Sequence, residues 1–90
     1  MEKISIVIIT LNEEENIERC LRSVIWADEI VVLDGFSQDR TLEICKQFTD
    51  RIFQADWQGY GKQKNLAAEK ARYRWIMNLD ADEMVSKECS

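Results

Sequence analysis

Four short apolar runs punctuate the chain, and between them the apolar positions shift to helical spacing. Ile4 to Ile9 is a β-branched run that reads as a fully buried, parallel-type strand. Asn12 follows it as a candidate helix N-cap. Glu15, three residues on, completes a box-like pattern, and Glu13, Glu14 and Glu15 fill a first turn where the helix dipole favours acids. Ile17, Cys20, Leu21 and Val24 then recur at helical spacing. Glu29 to Leu33 reads as a second buried strand, ending at Asp34. Gly35 to Arg40 is a turn in which Ser37 or Asp39 can cap a helix with Leu42, Cys45 and Phe48 on its inner face. Arg51 to Ala55 is a third, shorter strand, and Asp56 to Gly61 a loop with two glycines and two aromatics. Lys62 to Arg72 is a third helix with Leu66, Ala67 and Ala71 as its apolar face, and Trp75 to Leu79 a fourth buried strand.

The order is β-α-β-α-β-α-β with short connections. It predicts one α/β domain over residues 1–90: a Rossmann-like, three-layer α/β/α arrangement on a four-stranded, mainly parallel sheet with right-handed crossovers. No repeat, linker or low-complexity segment interrupts it.

Composition narrows the function. A formal net charge of −5 argues against nucleic acid as a partner. No run approaches the roughly 18 to 20 apolar residues of a membrane span, and the early run Ile6 to Ile9 is too short for a signal peptide, so a cytoplasmic chain is expected. Three cysteines, at 20, 45 and 89, show neither zinc spacing nor a disulfide framework; Cys20 and Cys45 read as small buried hydrophobes. Histidine is absent, which removes His-activated nucleophiles. Chemistry therefore falls to carboxylates, lysines, backbone groups or a bound ion.

If the strands are parallel, their carboxyl ends share one edge, the place where open α/β sheets bind ligands. That edge collects Thr10 and Asn12, Asp34, the Asp56–Gly61 loop, and the pair Asp80 and Asp82, which an extended backbone points the same way. Two neighbouring like charges suit a hard divalent ion. Asp34, Asp80 and Asp82 together would suit a nucleotide with its metal, and Lys62 or Lys64 at the start of the third helix could reach the phosphates, helped by that helix's first N–H groups. Each piece has a plainer reading: Asp34 as a turn former, the glutamates and lysines as solvated surface, Trp57 and Tyr60 as cover for the sheet edge.

Five segments in order resemble the amino-terminal part of a family 2 glycosyltransferase of GT-A fold. They are Ile6–Glu14, Ala27–Asp34, Ser37–Thr41, Gly61–Asn65 and Asn78–Glu83. The subgroup most resembled includes lipopolysaccharide-core β-1,4-glucosyltransferases, which implies bacterial cell-envelope biosynthesis. The resemblance implies that residues 1–90 form the nucleotide-sugar-binding half of a GT-A domain, with the acceptor-binding half absent. Thr10, Asn12 and Glu14 would line the nucleoside pocket, Asp34 would contact the base, and Lys64 would approach the diphosphate. Asp80 would bind ribose or support the metal, and Asp82 of the Asp-x-Asp pair would coordinate Mg²⁺ or Mn²⁺. The donor would be a nucleoside-diphosphate sugar, with a UDP-sugar favoured, and the acceptor a saccharide or a lipid-linked one; in the full enzyme the latter places the protein at the inner membrane. The family inverts at the anomeric carbon, and the carboxylate that acts as base is expected beyond Ser90, so no transfer is expected from these residues alone. Members carry a serine after the aspartate equivalent to Asp34; this chain has Gly35-Phe36.

Two other readings stand beside this one. The chain could be a non-catalytic nucleotide-binding or self-associating α/β module from a truncated gene, forming a homo-oligomer through an exposed sheet edge. A receiver-like phosphoacceptor domain also clusters acids around Mg²⁺, but its lysine after a later strand has no counterpart here.

Overall fold

A computed structural model describes residues 2–81. The order is β1 (Ile4–Thr10), α1 (Ile17–Arg22), β2 (Glu29–Asp34), α2 (Thr41–Cys45), β3 (Ile52–Gln54), α3 (Tyr60–Lys70) and β4 (Trp75–Asp80). All strand pairs are parallel and the sheet order is β3-β2-β1-β4. The α/β class and the four-stranded parallel sheet are as the sequence predicts.

Side-chain alternation along β1 and β2 divides the core in two. Ile6, Ile8, Ile30 and Val32 face Ile17, Cys20 and Leu21 of α1 and Cys45 of α2. Val7, Ile9, Val31 and Leu33 face Ala67 of α3. The two central strands are thus covered on both sides, which is why they read as unbroken apolar runs. Cys20 and Cys45 are buried in the first layer, and burial, then the nearby charge of Asp34, pushes the Cys45 thiol up to about 12; it packs as a neutral hydrophobe.

Two local expectations differ. Asn12 does not cap α1: it sits at φ 54, its Oδ1 accepts the Gln38 N–H at 2.8 Å, and the helix begins at Ile17. Glu13 to Glu15 consequently lie in the turn before α1, where the Glu13 carbonyl accepts the Asn16 and Ile17 N–H groups. Among the described residues β4 lies at the edge of the sheet and is not buried: Trp75 is 56% and Ile76 41% exposed. Only Leu79 of this strand is buried.

Candidate functional site

The carboxyl ends of β2, β1 and β4 form one rim. Thr10 pairs with Asp34, and Ile9 with Asp80, so Asp34 and Asp80 stand on the same edge with β1 between them, about 10 Å apart. The register is staggered by one residue, and alternation then sends their side chains to opposite faces of the sheet. Asp34 points to the α1–α2 layer, whereas Asp80 shares the face of Ile9 and α3.

Asp34 is fully buried at 0% exposure. Its Oδ1 accepts the Thr10 hydroxyl at 2.5 Å and the Ser37 hydroxyl at 2.6 Å, and its Oδ2 accepts the Ser37 N–H at 2.7 Å. The Ser37 oxygen also accepts the Asn12 N–H at 2.8 Å, so the loops after β1 and β2 are stitched together. Glu14 joins through its backbone, donating its N–H to Asp39, while its side chain is exposed. Asp39 Oδ1 takes the Thr41 N–H at 2.9 Å and the Thr41 hydroxyl, making Asp39, not Ser37, the residue that closes the turn into α2. Burial raises the Asp39 pKa, but the donors from Thr41 and Glu14 outweigh this and hold it below the ordinary carboxylate value. Phe36, on the same turn, lies at φ 65 and is half exposed; a non-glycine residue pays about 1 kcal/mol in that region.

Across the sheet, α3 presents its amino end to the rim. Gly59 at φ 100 turns the chain into the helix, a conformation that glycine adopts without steric cost. Among the described residues no side-chain cap is made at this end and no acid occupies its first turn, so its first N–H groups favour an anion. A Cβ placed at Gly59 or Gly61 meets nothing within 4 Å among the described residues. Gln63 is buried, with Oε1 accepting the Gln58 N–H at 3.4 Å and Nε2 lacking a hydrogen-bond partner among the described residues. Lys64 Nζ stands 3.9 Å from Asp80 Oδ1.

The structure therefore brings Thr10, Asn12, Asp34 and the Glu14 backbone into one network, and Lys64 to Asp80 in a second group on the other face. Asp82 lies outside the described residues. Among those described, no three His, Cys, Asp or Glu side chains converge on a metal position. A rim carboxylate beside an open helix amino end fits a magnesium-type ion, which needs only one or two protein carboxylates when substrate phosphates supply the rest. Sequence reasoning missed Ser37 as the link between loops and Gln63 as a buried donor. The spacing Asp34-x-x-Ser37 was the available signal for the first, since a carboxylate commonly accepts a nearby backbone N–H in a turn.

Sheet order, helices on both faces and an acidic carboxyl rim make this an open α/β fold of the kind seen in GT-A glycosyltransferases. Within that class the chain belongs to glycosyl transferase family 2, whose model matches residues 5–90. An uncharacterized glycosyltransferase of Rickettsia felis is 44% identical over 89 residues, covering 98% of this chain and 31% of its own. The lipopolysaccharide core biosynthesis glycosyltransferase LpsC of Rhizobium meliloti is 36% identical over 89 residues, covering 93% of this chain and 33% of its own. The chain thus spans about a third of the length of the curated relatives it matches. Among solved structures, Staphylococcus aureus TarS residues 1–349 in complex with UDP-GlcNAc superposes with a TM-score of 0.79 at 28% identity, over 96% of this chain and 28% of that one. Glucosyl-3-phosphoglycerate synthase from Mycobacterium tuberculosis, in complex with Mg²⁺ and UDP, gives 0.68 at 27% identity, over 92% and 34%.

Proposed function

We propose that this chain carries the donor and metal site of an inverting glycosyltransferase that moves a sugar from a nucleoside diphosphate, UDP in the first instance, to a saccharide or lipid-linked acceptor. The observation that carries the reading is the rim: Asp34, Thr10 and Asp80 on one sheet edge, with the amino end of α3 on the Asp80 face. Thr10, Asn12 and the turn at Glu14 are the nucleoside end, held in place by Asp34. The first N–H groups of α3 and the Lys64 ammonium are the diphosphate end. Asp80 and Asp82 would hold Mg²⁺ or Mn²⁺, which when bound neutralises charge on the departing diphosphate. In the transfer itself the acceptor oxygen bonds to the anomeric carbon from the face opposite the diphosphate, the carbon–oxygen bond to phosphate breaks, and the acceptor proton passes to a carboxylate base.

Similarity to TarS and to glucosyl-3-phosphoglycerate synthase supports UDP and a divalent ion as ligands; similarity to LpsC supports a role in the lipopolysaccharide core. A cytoplasmic location, at the inner membrane for a lipid-linked acceptor, goes with that role. Calorimetric titration with UDP, with and without Mn²⁺, tests the assignment. Metal-dependent binding that Asp82→Ala abolishes is expected, and binding unchanged in Asp82→Ala would remove the metal role of that residue. A second reading, self-association, draws on exposed Trp75 and Ile76 at the β4 edge. Light scattering that shows only monomer at high concentration would end it.

A further inference from the structure

Position 35 is where the resemblance calls for serine and this chain has glycine. A Cβ built there would meet Trp57 Cε3 at 3.1 Å, Leu11 Cδ1 at 3.5 Å and the Thr10 carbonyl at 3.6 Å. The space of the missing side chain is thus filled by the indole of Trp57, which reaches over from the loop that leads into α3. The ring lies on the α3 face of the rim: it packs against the Val7, Ile9, Val31 and Leu33 cluster and is itself half-buried, so part of it stays at the surface. Two hydrogen bonds pin the backbone beneath it. Gly35 donates its N–H to Thr10 O at 2.8 Å, and Ala55 donates to Asp34 O at 3.0 Å. Trp57 is therefore a large aromatic surface held one residue from Asp34, on the same face as the α3 amino end, Lys64 and Asp80.

We propose that Trp57, seated where a side chain at position 35 would stand, is the wall against which the base of the donor nucleotide stacks, and that Gly35 and Trp57 act as a pair. This rests on the donor-site reading above and adds a base-stacking residue to it. The order along the rim fits a nucleoside diphosphate end to end. An aromatic surface over β2 takes the base, and the helix amino end with Lys64 takes the phosphates towards β4. Stacking tolerates any base, so Trp57 supplies affinity while hydrogen-bonding groups beside it choose among bases. Gly35→Ala or Gly35→Ser would put a Cβ inside ordinary contact distance of the indole and displace the ring.

The test is calorimetric titration of the full-length protein and its Trp57→Ala, Trp57→Phe and Gly35→Ser variants with UDP and, separately, with inorganic pyrophosphate, both with Mn²⁺. Near-ultraviolet circular dichroism checks that each variant is folded. Trp57→Ala should weaken UDP by about ten- to a hundredfold and leave pyrophosphate within about twofold. Trp57→Phe should keep most of the UDP affinity, and Gly35→Ser should fall between the two. UDP binding by a folded Trp57→Ala variant at the parent's affinity, or an equal loss for pyrophosphate, would overturn the role of Trp57 while leaving the donor site standing. A parent protein that binds neither ligand would overturn both.

Discussion

The two ends of the β1–β2 pair carry the same contact, a β1 hydroxyl donating to a β2 carboxylate, in opposite surroundings. At the amino end Ser5 donates to Glu29 at 2.7 Å; at the carboxyl end Thr10 donates to Asp34 at 2.5 Å. Glu29 is also met by cations: Arg72 Nε at 2.6 Å and Arg51 Nε at 3.2 Å, with the Arg72 N–H at 2.8 Å. That cluster ties β1, β2, β3 and the start of β4 together, and its charge is balanced within the chain. Asp34 is met by hydroxyls and one N–H, all neutral. A balanced carboxylate is what a structural clamp needs. A carboxylate ringed by neutral donors, on a rim whose other face carries the helix amino end and a lysine, leaves that rim able to respond to a charged ligand.

The largest effect is expected from Asp34→Ala. It strands the Thr10 hydroxyl, which is buried away from water, and both donors of the half-buried Ser37. Denaturant unfolding should show a loss of about 3 kcal/mol. A loss no larger than that of the Glu29 variant would mean that the two clusters are equivalent.

Glu29→Gln should cost less, about 1–2 kcal/mol, because the Arg72 and Arg51 side chains are 59% and 32% exposed and can rehydrate. Its signature is in the pH dependence. Burial pushes the Glu29 pKa up, but the Arg72 N–H, the Ser5 hydroxyl and the Arg72 guanidinium together hold it below the ordinary 4.5. The folded value is depressed, so the stabilisation is present above about 4.5 and is lost as pH falls through the folded value. Thermal unfolding from pH 7 to pH 3 should therefore show a shallower acid loss in Glu29→Gln than in the parent, and an unchanged slope would discard the assignment.

The smallest effect on stability is expected at Lys64, whose ion pair with Asp80 is long and half-exposed. Lys64→Ala should shift unfolding by no more than about 0.5 kcal/mol yet weaken UDP about tenfold, which separates binding from folding. A stability loss as large as that at Glu29 would make Lys64 part of a clamp instead.

The parallel sheet and the shared rim were legible because Ile4 to Ile9 and Glu29 to Leu33 are unbroken apolar runs joined by crossover-length segments. What local pattern did not carry was anything set by distant partners. Asn12 followed by Glu15 looks like a helix start, but Asn12 is claimed by Gln38 on another loop, and α1 starts at Ile17. Trp75 to Leu79 has the composition of a central strand, yet among the described residues it lies at the sheet edge. Asp34 and Asp80 share the edge as expected, but the one-residue stagger that sends them to opposite faces belongs to the register, which no single strand encodes. The packing of Trp57 on Gly35 is likewise a contact between residues 22 positions apart (57 minus 35) that neither segment announces.

Paramagnetic broadening of amide signals by Mn²⁺ in the presence of UDP tests the central claim most directly, because the strands separate their two ends by about 20 Å. With the donor site at the carboxyl rim, the amides of Thr10, Gly35, residues 59–64 and Asp80 broaden first, while those of Ser5, Glu29 and Arg72 stay sharp. A cleft of about 370 Å³ beside Asp28, Glu29 and Asp50 offers the ion acids at the other end. Broadening centred there, with the rim amides unchanged, would contradict the account.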